Sequence, residues 1–365
     1  MIPGCIARFR TPRPVFLIYI RQKKMYKEMG ERLGGMPVLL LLDALAHLLV
    51  DAMCASTVLG PLGASAGLPT LILLYNTLAF STQCLVGVAA DRLRRHGIFA
   101  VAALLTVAAG AMLPLPTVLR VCVLGLGNSV FHVAAGARTL ERSGGKAGPL
   151  GVFVAPGAVG LALGMLFPSL RPVFAALAAL TAAALIPAAR GRSAEAPAPE
   201  ARPVPVFGIV LLTAAVAVRA VGGSVVRFPW QTTASLSLLT VAFVFMGKAL
   251  GGALCDRLGP VKTALFSVVP AGLLIAFGSG FMAPSLLGQF ALNLTMPVTL
   301  WLLYRAMPDS PGFAFGVAAS ALWPGTIAGG LIRLTGPIQW IFVLACFLFG
   351  LWAIVKTAKR KETAP

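Results

Sequence analysis

Two patterns in this 365-residue chain combine residue types and spacings that suit chemistry. The first is Asp43, His47 and Asp51, three ionisable side chains set four positions apart. On a helix this spacing lines them up along one face. Burial disfavours each charged form, and an opposite charge next to it restores that form. Such a row is suited to taking up and releasing a proton near neutral pH. The plainer alternative is a buried polar cluster that only holds helices together. The second pattern occurs twice, as Gly87-Val-Ala-Ala-Asp91-Arg92-Leu-Arg94-Arg95 and as Gly252-Ala-Leu-Cys-Asp256-Arg257-Leu-Gly259. Both fit G-x-x-x-D-R, and the two copies lie 165 residues apart. The glycines let a neighbouring helix approach closely. Each Asp can pair with an Arg or with a helix N-terminus. Arg92, Arg95 and Arg257 can hold a membrane surface or a partner acid, so the loops suit a gate that forms in one state and breaks in another.

The elements that position these residues follow from composition. Hydrophobic residues make up 58% of the chain and charged ones 11%, and the mean hydropathy is +0.90. A soluble domain carries about 25% charged residues. Apolar runs of bilayer length fall near 36–60, 66–90, 97–115, 116–138, 148–169 and 172–190. Six more fall near 206–222, 231–255, 263–281, 283–305, 313–332 and 336–357. Between the two sets, 191–205 is rich in Pro, Ala and charge and reads as a cytoplasmic linker. The expectation is an all-α membrane protein of about twelve spanning helices in two six-helix bundles, 36–190 and 206–357, with a cytoplasmic tail at 358–365. With the N-terminus inside, 24 of the 30 Lys and Arg residues fall on the cytoplasmic side, as the positive-inside rule requires. Both termini are then cytoplasmic, and the location is the cell inner (plasma) membrane. The net charge of +19 is thus a topology signal, and no nucleic-acid partner is expected. Residues 1–35 are either an interfacial segment around Pro14-Val-Phe-Leu-Ile-Tyr-Ile or an extension upstream of a start at Met25, Met29 or Met36. No secretory signal peptide is apparent.

Ionisable groups within a bilayer are costly and therefore functional candidates. Besides the span 1 row these are His132 in span 4, Arg120 at its outer end, Arg219 in span 7 and Lys248 in span 8. With Asn76, Gln83, Asn128, Asn293, Thr295 and Trp323 they form the candidate lining of a solute cavity. Packing and interhelical pairing are the structural alternatives for each. Pro156, Gly157, Gly160, Gly164 and Pro168 in span 5 favour bending and close packing. No enzyme motif, cofactor motif or nucleotide-binding Gly-Lys-Thr loop occurs. The three histidines, His47, His96 and His132, lie in separate segments, so no metal site is expected. The six cysteines show no pairing pattern.

The paired loops and the 6+6 layout resemble the major facilitator superfamily over nearly the whole chain. The second copy ends in Leu258-Gly259 as the family pattern prefers, whereas the first has Arg94 at the glycine position. His47-Leu-Leu-Val-Asp51 and Gly127-Asn128-Ser129-Val-Phe131-His132 are similar to the fosmidomycin-resistance branch, whose pattern continues with Pro and an acid where this chain has Val133 and Ala134. The resemblance implies a monomeric secondary transporter that exports a small molecule in exchange for protons by alternating access. Asp43, His47, Asp51 and His132 are then the candidate proton-coupling groups. Proton-coupled uptake of an organic anion is one alternative; a non-transporting scaffold or sensor on the same fold is another. In a background without native cysteines, a Ser193→Cys probe in the linker is expected to react with an impermeant maleimide in inside-out vesicles only; labelling in right-side-out vesicles would overturn the topology.

Overall fold

A computed structural model describes residues 38–65, 67–189 and 205–358. The readings made for 1–35, for 191–205 except its last residue, and for the tail beyond Ala358 lie outside these residues. The described chain is helical. In order the helices are α1 (Val38–Leu59), α2 (Leu68–Leu93), α3 (His96–Met112), α4 (Thr117–Arg142), α5 (Gly148–Leu166) and α6 (Pro168–Ala189), then α7 (Val206–Val225), α8 (Ala234–Leu258), α9 (Pro260–Gly278), α10 (Met282–Ala306), α11 (Pro311–Leu331) and α12 (Gly336–Ala358). Eleven of these are long and apolar enough to cross a membrane, and α3 is a shorter apolar helix. At about 1.5 Å per residue a helix of 20 residues spans the hydrocarbon core.

Local chemistry sets the breaks. α3 stops at Met112 rather than at 115, because Leu113 is extended ahead of Pro114, and a residue before proline avoids the helical region. α10 is interrupted at Leu294, between Asn293 and Thr295. Pro297 lacks the N–H that would reach the carbonyl of Asn293. α2 contains a π-helical turn at Thr77–Ser81, a feature frequent at functional sites. Arg94 closes α2 in the left-handed region with φ 47°, where Gly259 closes α8 with φ 80°. Glycine takes that conformation freely, whereas a side chain there costs about 1 kcal/mol.

The two halves repeat one packing scheme. α3 packs on α4 and α6, and α9 packs on α10 and α12, the helices six places later. Between the halves, α2 lies against α11 and α5 against α8, again related by a shift of six helices. Within the first half, α5 rests on α1 through a row of glycines. A Cβ at Gly160 would strike the carbonyl of Leu48, one at Gly164 that of Ala52, and one at Gly157 the ring of His47. Small residues let helix backbones meet where no water drives them together. Gly160→Val is expected to push α1 off α5, at a cost of about 1–3 kcal/mol or more, and to reduce the monodisperse fraction in detergent. Leu161→Val beside it, on a half-exposed surface position, is expected to leave that fraction unchanged.

Candidate functional site

The site is assembled where α1, α4 and α5 meet. His47 and His132 stand 85 positions apart in the chain, yet their Nε2 atoms are 2.8 Å apart. The rings meet edge to face, with centroids 4.5 Å apart. Asp51 joins them, with Oδ2 3.4 Å from His47 Nε2 and Oδ1 3.6 Å from His132 Nε2. Asn128 donates to Asp51 Oδ1 at 3.2 Å and to the Tyr75 hydroxyl at 3.1 Å. His47 Nδ1 faces the carbonyl of Phe153 at 2.8 Å, and His132 Nδ1 faces that of Asn128 at 2.9 Å. The histidines lie in separate segments of the sequence, yet the fold brings two of them together. Side-chain atoms of His47, Asp51 and His132 lie within 4.8 Å of one another, because α4 antiparallel to α1 returns His132 to the level of His47. His96 lies elsewhere, at the start of α3.

The row read in span 1 is divided by the fold. Asp51 faces His47, but Asp43 turns to Arg138 of α4, which donates Nε–H at 3.0 Å and Nη2–H to the other oxygen. Both residues are 2% exposed. Arg138 is the last residue of the apolar run at 116–138, whereas α4 runs on to Arg142. Apolar length alone ended the span too early, and the partner that Asp43 needs in a low-dielectric interior was the signal that could have extended it.

The remaining polar candidates separate into two groups. Arg219 donates to Thr295 Oγ1 at 2.9 Å, beside the interruption of α10. It also borders a small apolar cavity among α5, α7, α10 and α11, lined further by Val154, Met296, Thr299, Phe315 and Leu322. Lys248 lies within electrostatic reach of Asp51 and Arg219. The others are used locally. Asn76 and Asn293 bond carbonyls one turn back, at Ile72 and Gln289. Gln83 does the same with Ala79 and is fully buried. Arg120 bonds the Leu113 carbonyl in the α3–α4 turn. Trp323 reaches Thr77 Oγ1 at 3.4 Å and stacks on Phe80, so it bridges α11 to the π-helical turn.

The repeated loops form the second part of the site. Asp91 Oδ1 accepts from the N–H of Gly312 at 2.8 Å and its Oδ2 from Phe313 at 2.8 Å. Asp256 Oδ1 accepts from Ala147 at 2.7 Å and its Oδ2 from Gly148 at 2.9 Å. Each carboxylate therefore caps a helix of the opposite half. Asp256 follows Asp91, Gly312 follows Ala147 and Phe313 follows Gly148 by the same 165 positions. Gly87 and Gly252 make room: a Cβ on either would strike the backbone at Gly312 or Ala147. Helix N-termini carry unsatisfied N–H groups and a partial positive charge, so they favour an anion. Behind Asp91, His96 spans Asp91 Oδ1 at 3.3 Å and Glu141 Oε1 at 3.0 Å. Trp301 adds a bond across the halves, to the carbonyl of Gly145 at 2.7 Å.

No protein-family profile and no curated sequence matches the chain. Solved structures do. The E. coli fucose:proton symporter FucP matches with a TM-score of 0.66 at 12% identity, over 88% of this chain and 98% of that one. A further structure of FucP, described as a major facilitator superfamily transporter in the outward conformation, gives 0.66 at 13% identity over 88% and 99%. A bacterial homologue of the iron transporter ferroportin, in an outward-facing state, gives 0.60 at 15% over 88% and 100%. At these identities the likeness is one of fold: this is an all-helical chain with the major facilitator architecture of two six-helix bundles.

The Asp43–Arg138 pair holds α1 to α4. Asp43→Asn leaves a buried guanidinium uncompensated and is expected to cost about 3–5 kcal/mol, read as a lowered unfolding midpoint. Asp43→Asn combined with Arg138→Met is expected to regain part of that loss, and additive losses would show that the pair does not act as a unit.

Proposed function

We propose that this protein is a secondary active transporter of the inner membrane that works by alternating access, with proton-coupled export of a small molecule as the leading reading. The observation that carries it is the pair of cross-half straps. Charge-assisted bonds from a carboxylate to amide N–H groups are strong when made. They can also be exchanged for water at a membrane surface without unfolding a helix. Two of them, related by the internal repeat, bridge the halves at the end bearing the G-x-x-x-D-R loops, which the distribution of Lys and Arg assigns to the cytoplasm. Release of both lets one bundle rock against the other. With both made, the halves are held together at that end, as an outward-facing state requires.

The driving ion would be the proton, carried by His47, Asp51 and His132. Asp43, in its pair with Arg138, would serve to hold α1 in place. Arg219 at the cavity, with Lys248 within electrostatic reach of it, favours a second reading, in which an organic anion is taken up with the proton. The two readings share the fold and the proton site and differ in direction. The domain limits proposed are 36–190 and 206–357 about a linker at 191–205, and the unit is the monomer.

In proteoliposomes Asp51→Asn is expected to abolish flux driven by a pH gradient while exchange of solute across both faces survives; unchanged gradient-driven flux removes Asp51 from the coupling. Asp91→Asn and Asp256→Asn are each expected to slow gradient-driven flux about tenfold or more, about 1.4 kcal/mol for each decade, with the protein still folded. Arg219→Gln tests the anion reading: loss of the thermal stabilisation given by organic anions supports Arg219 as the group that holds an anion, and retention removes Arg219 from anion binding.

A further inference from the structure

We infer that a single proton lies between Nε2 of His47 and Nε2 of His132, and that α5 links this proton to the Asp256 strap. The first part follows from the hydrogen-bond partners. A backbone carbonyl only accepts, so the bonds to Phe153 and Asn128 require a proton on Nδ1 of both rings. If both rings were neutral, each Nε2 would present a lone pair to the other at 2.8 Å, which is repulsive. If both were fully protonated, two N–H groups and two positive charges would collide. One shared proton gives an N–H···N bond of normal length. The resulting single positive charge lies beside the Asp51 carboxylate, so the buried cluster is neutral as a whole. The count at this pair is therefore one shared proton, fixed by geometry.

The groups facing the pair come from five helices. α1 supplies Asp51 and Cys54, α2 Tyr75, α4 Asn128 and α8 Lys248. The Asp43–Arg138 pair lies further along the α1–α4 seam. α5 supplies no ionisable group. It touches the pair through the Phe153 carbonyl and through Gly157, whose missing Cβ leaves space for His47 Nε2 and Asp51 Oδ2.

The second part rests on α5 being the helix that Asp256 caps. Phe153 lies five residues from Gly148, about 7.5 Å along the axis. When the shared proton leaves, the lone pairs repel and the His47 ring must turn or withdraw. Turning breaks its bond to Phe153, and withdrawal presses on α5 at Gly157. Either movement acts on the helix whose first N–H groups Asp256 holds. Linkage then requires the reverse: the strap alters the affinity for the proton. This deepens the proton-coupled reading, and it is tested without flux so that a failed transport assay and a failed proton site remain distinct.

The chain has three histidines, so full-length protein labelled with ¹⁵N-histidine in lipid nanodiscs gives a spectrum that can be assigned, with His96→Gln identifying the third ring. At pH 7 the expected result is protonated Nδ1 on both rings and a ¹⁵N–¹⁵N coupling across the Nε2 pair, lost in one step as the pH rises. His132→Gln is expected to remove the coupling. Two independent steps, an unprotonated Nδ1 on either ring, or an Nε2 shift reversed by a chelator, which would place a divalent ion on that line, would each overturn the shared proton. Asp256→Asn, measured in the same way, is expected to move the midpoint by at least about 0.7 pH unit, the lower end of typical coupling. Hydrogen exchange of the segment following Ala147 is expected to depend on pH in the wild type and to lose that dependence in His132→Gln. An unmoved midpoint together with pH-independent exchange overturns the link through α5, and leaves the shared proton standing on the wild-type spectrum.

Discussion

A helix that begins at a membrane surface leaves its first N–H groups without partners, and the arrangement of this protein depends on where two such helices find theirs. α5 and α11 each take a carboxylate from the opposite half, Asp256 and Asp91. A carboxylate from the same half would have satisfied the amides equally well and left the halves independent. Taking it from the other half makes each bundle complete only while the two are together at that end. The glycines of the motif serve this bond, since Gly87 and Gly252 permit the backbone approach that brings the carboxylate within reach. An alanine at either place would hold the helices too far apart for bonds of 2.7–2.9 Å.

The repeat supplies the scaffold twice, but the chemistry is divided between the halves. Four residues before each motif glycine stand Gln83 and Lys248, at equivalent positions. Gln83 is buried and bonded within its own helix, whereas Lys248 feels Asp51 and Arg219. The first half therefore holds the acid and the two imidazoles, and the second half the cations Arg219 and Lys248. The strapped helices are also those nearest the charges: α8 carries Lys248 and Asp256, and α5 touches His47 and receives that same carboxylate.

Much of this was legible in the sequence. Twelve spans, the division into halves and the two loops can be read from hydropathy, the placement of Lys and Arg, and a motif repeated at one interval. Asp51 with His47 was legible too, because a spacing of four lies within one helix. What could not be read was contact between helices. The meeting of His47 with His132 depends on the register of α4 against α1, and periodicity carries no information about register. Asp43 was misaligned for the same reason: its own helix suggested His47 as partner, but the side chain follows the buried cation on α4. Asn76, Asn293 and Arg120 were candidates because polar groups in lipid are costly, yet a carbonyl one turn back or in the next turn met that cost locally.

The two charged clusters of the α1–α4 seam illustrate why a buried ion pair can be retained where an apolar pair would pack as well. Asp43 and Arg138 cannot exchange protons with water without leaving an unpaired charge in a low-dielectric interior. That pair is therefore fixed, and it pins α1 to α4. One turn along α1, His47, His132 and Asp51 form a cluster that can gain or lose one proton. It stays close to neutral while it holds the proton, and loses its central bond when it does not. Because the fixed pair prevents α1 and α4 from separating, repulsion between the bare imidazoles cannot be relieved by a general loosening of the seam. Of the other helices around the pair, α5 is the one in direct contact with His47, which it meets with a carbonyl and a glycine and nothing that can titrate.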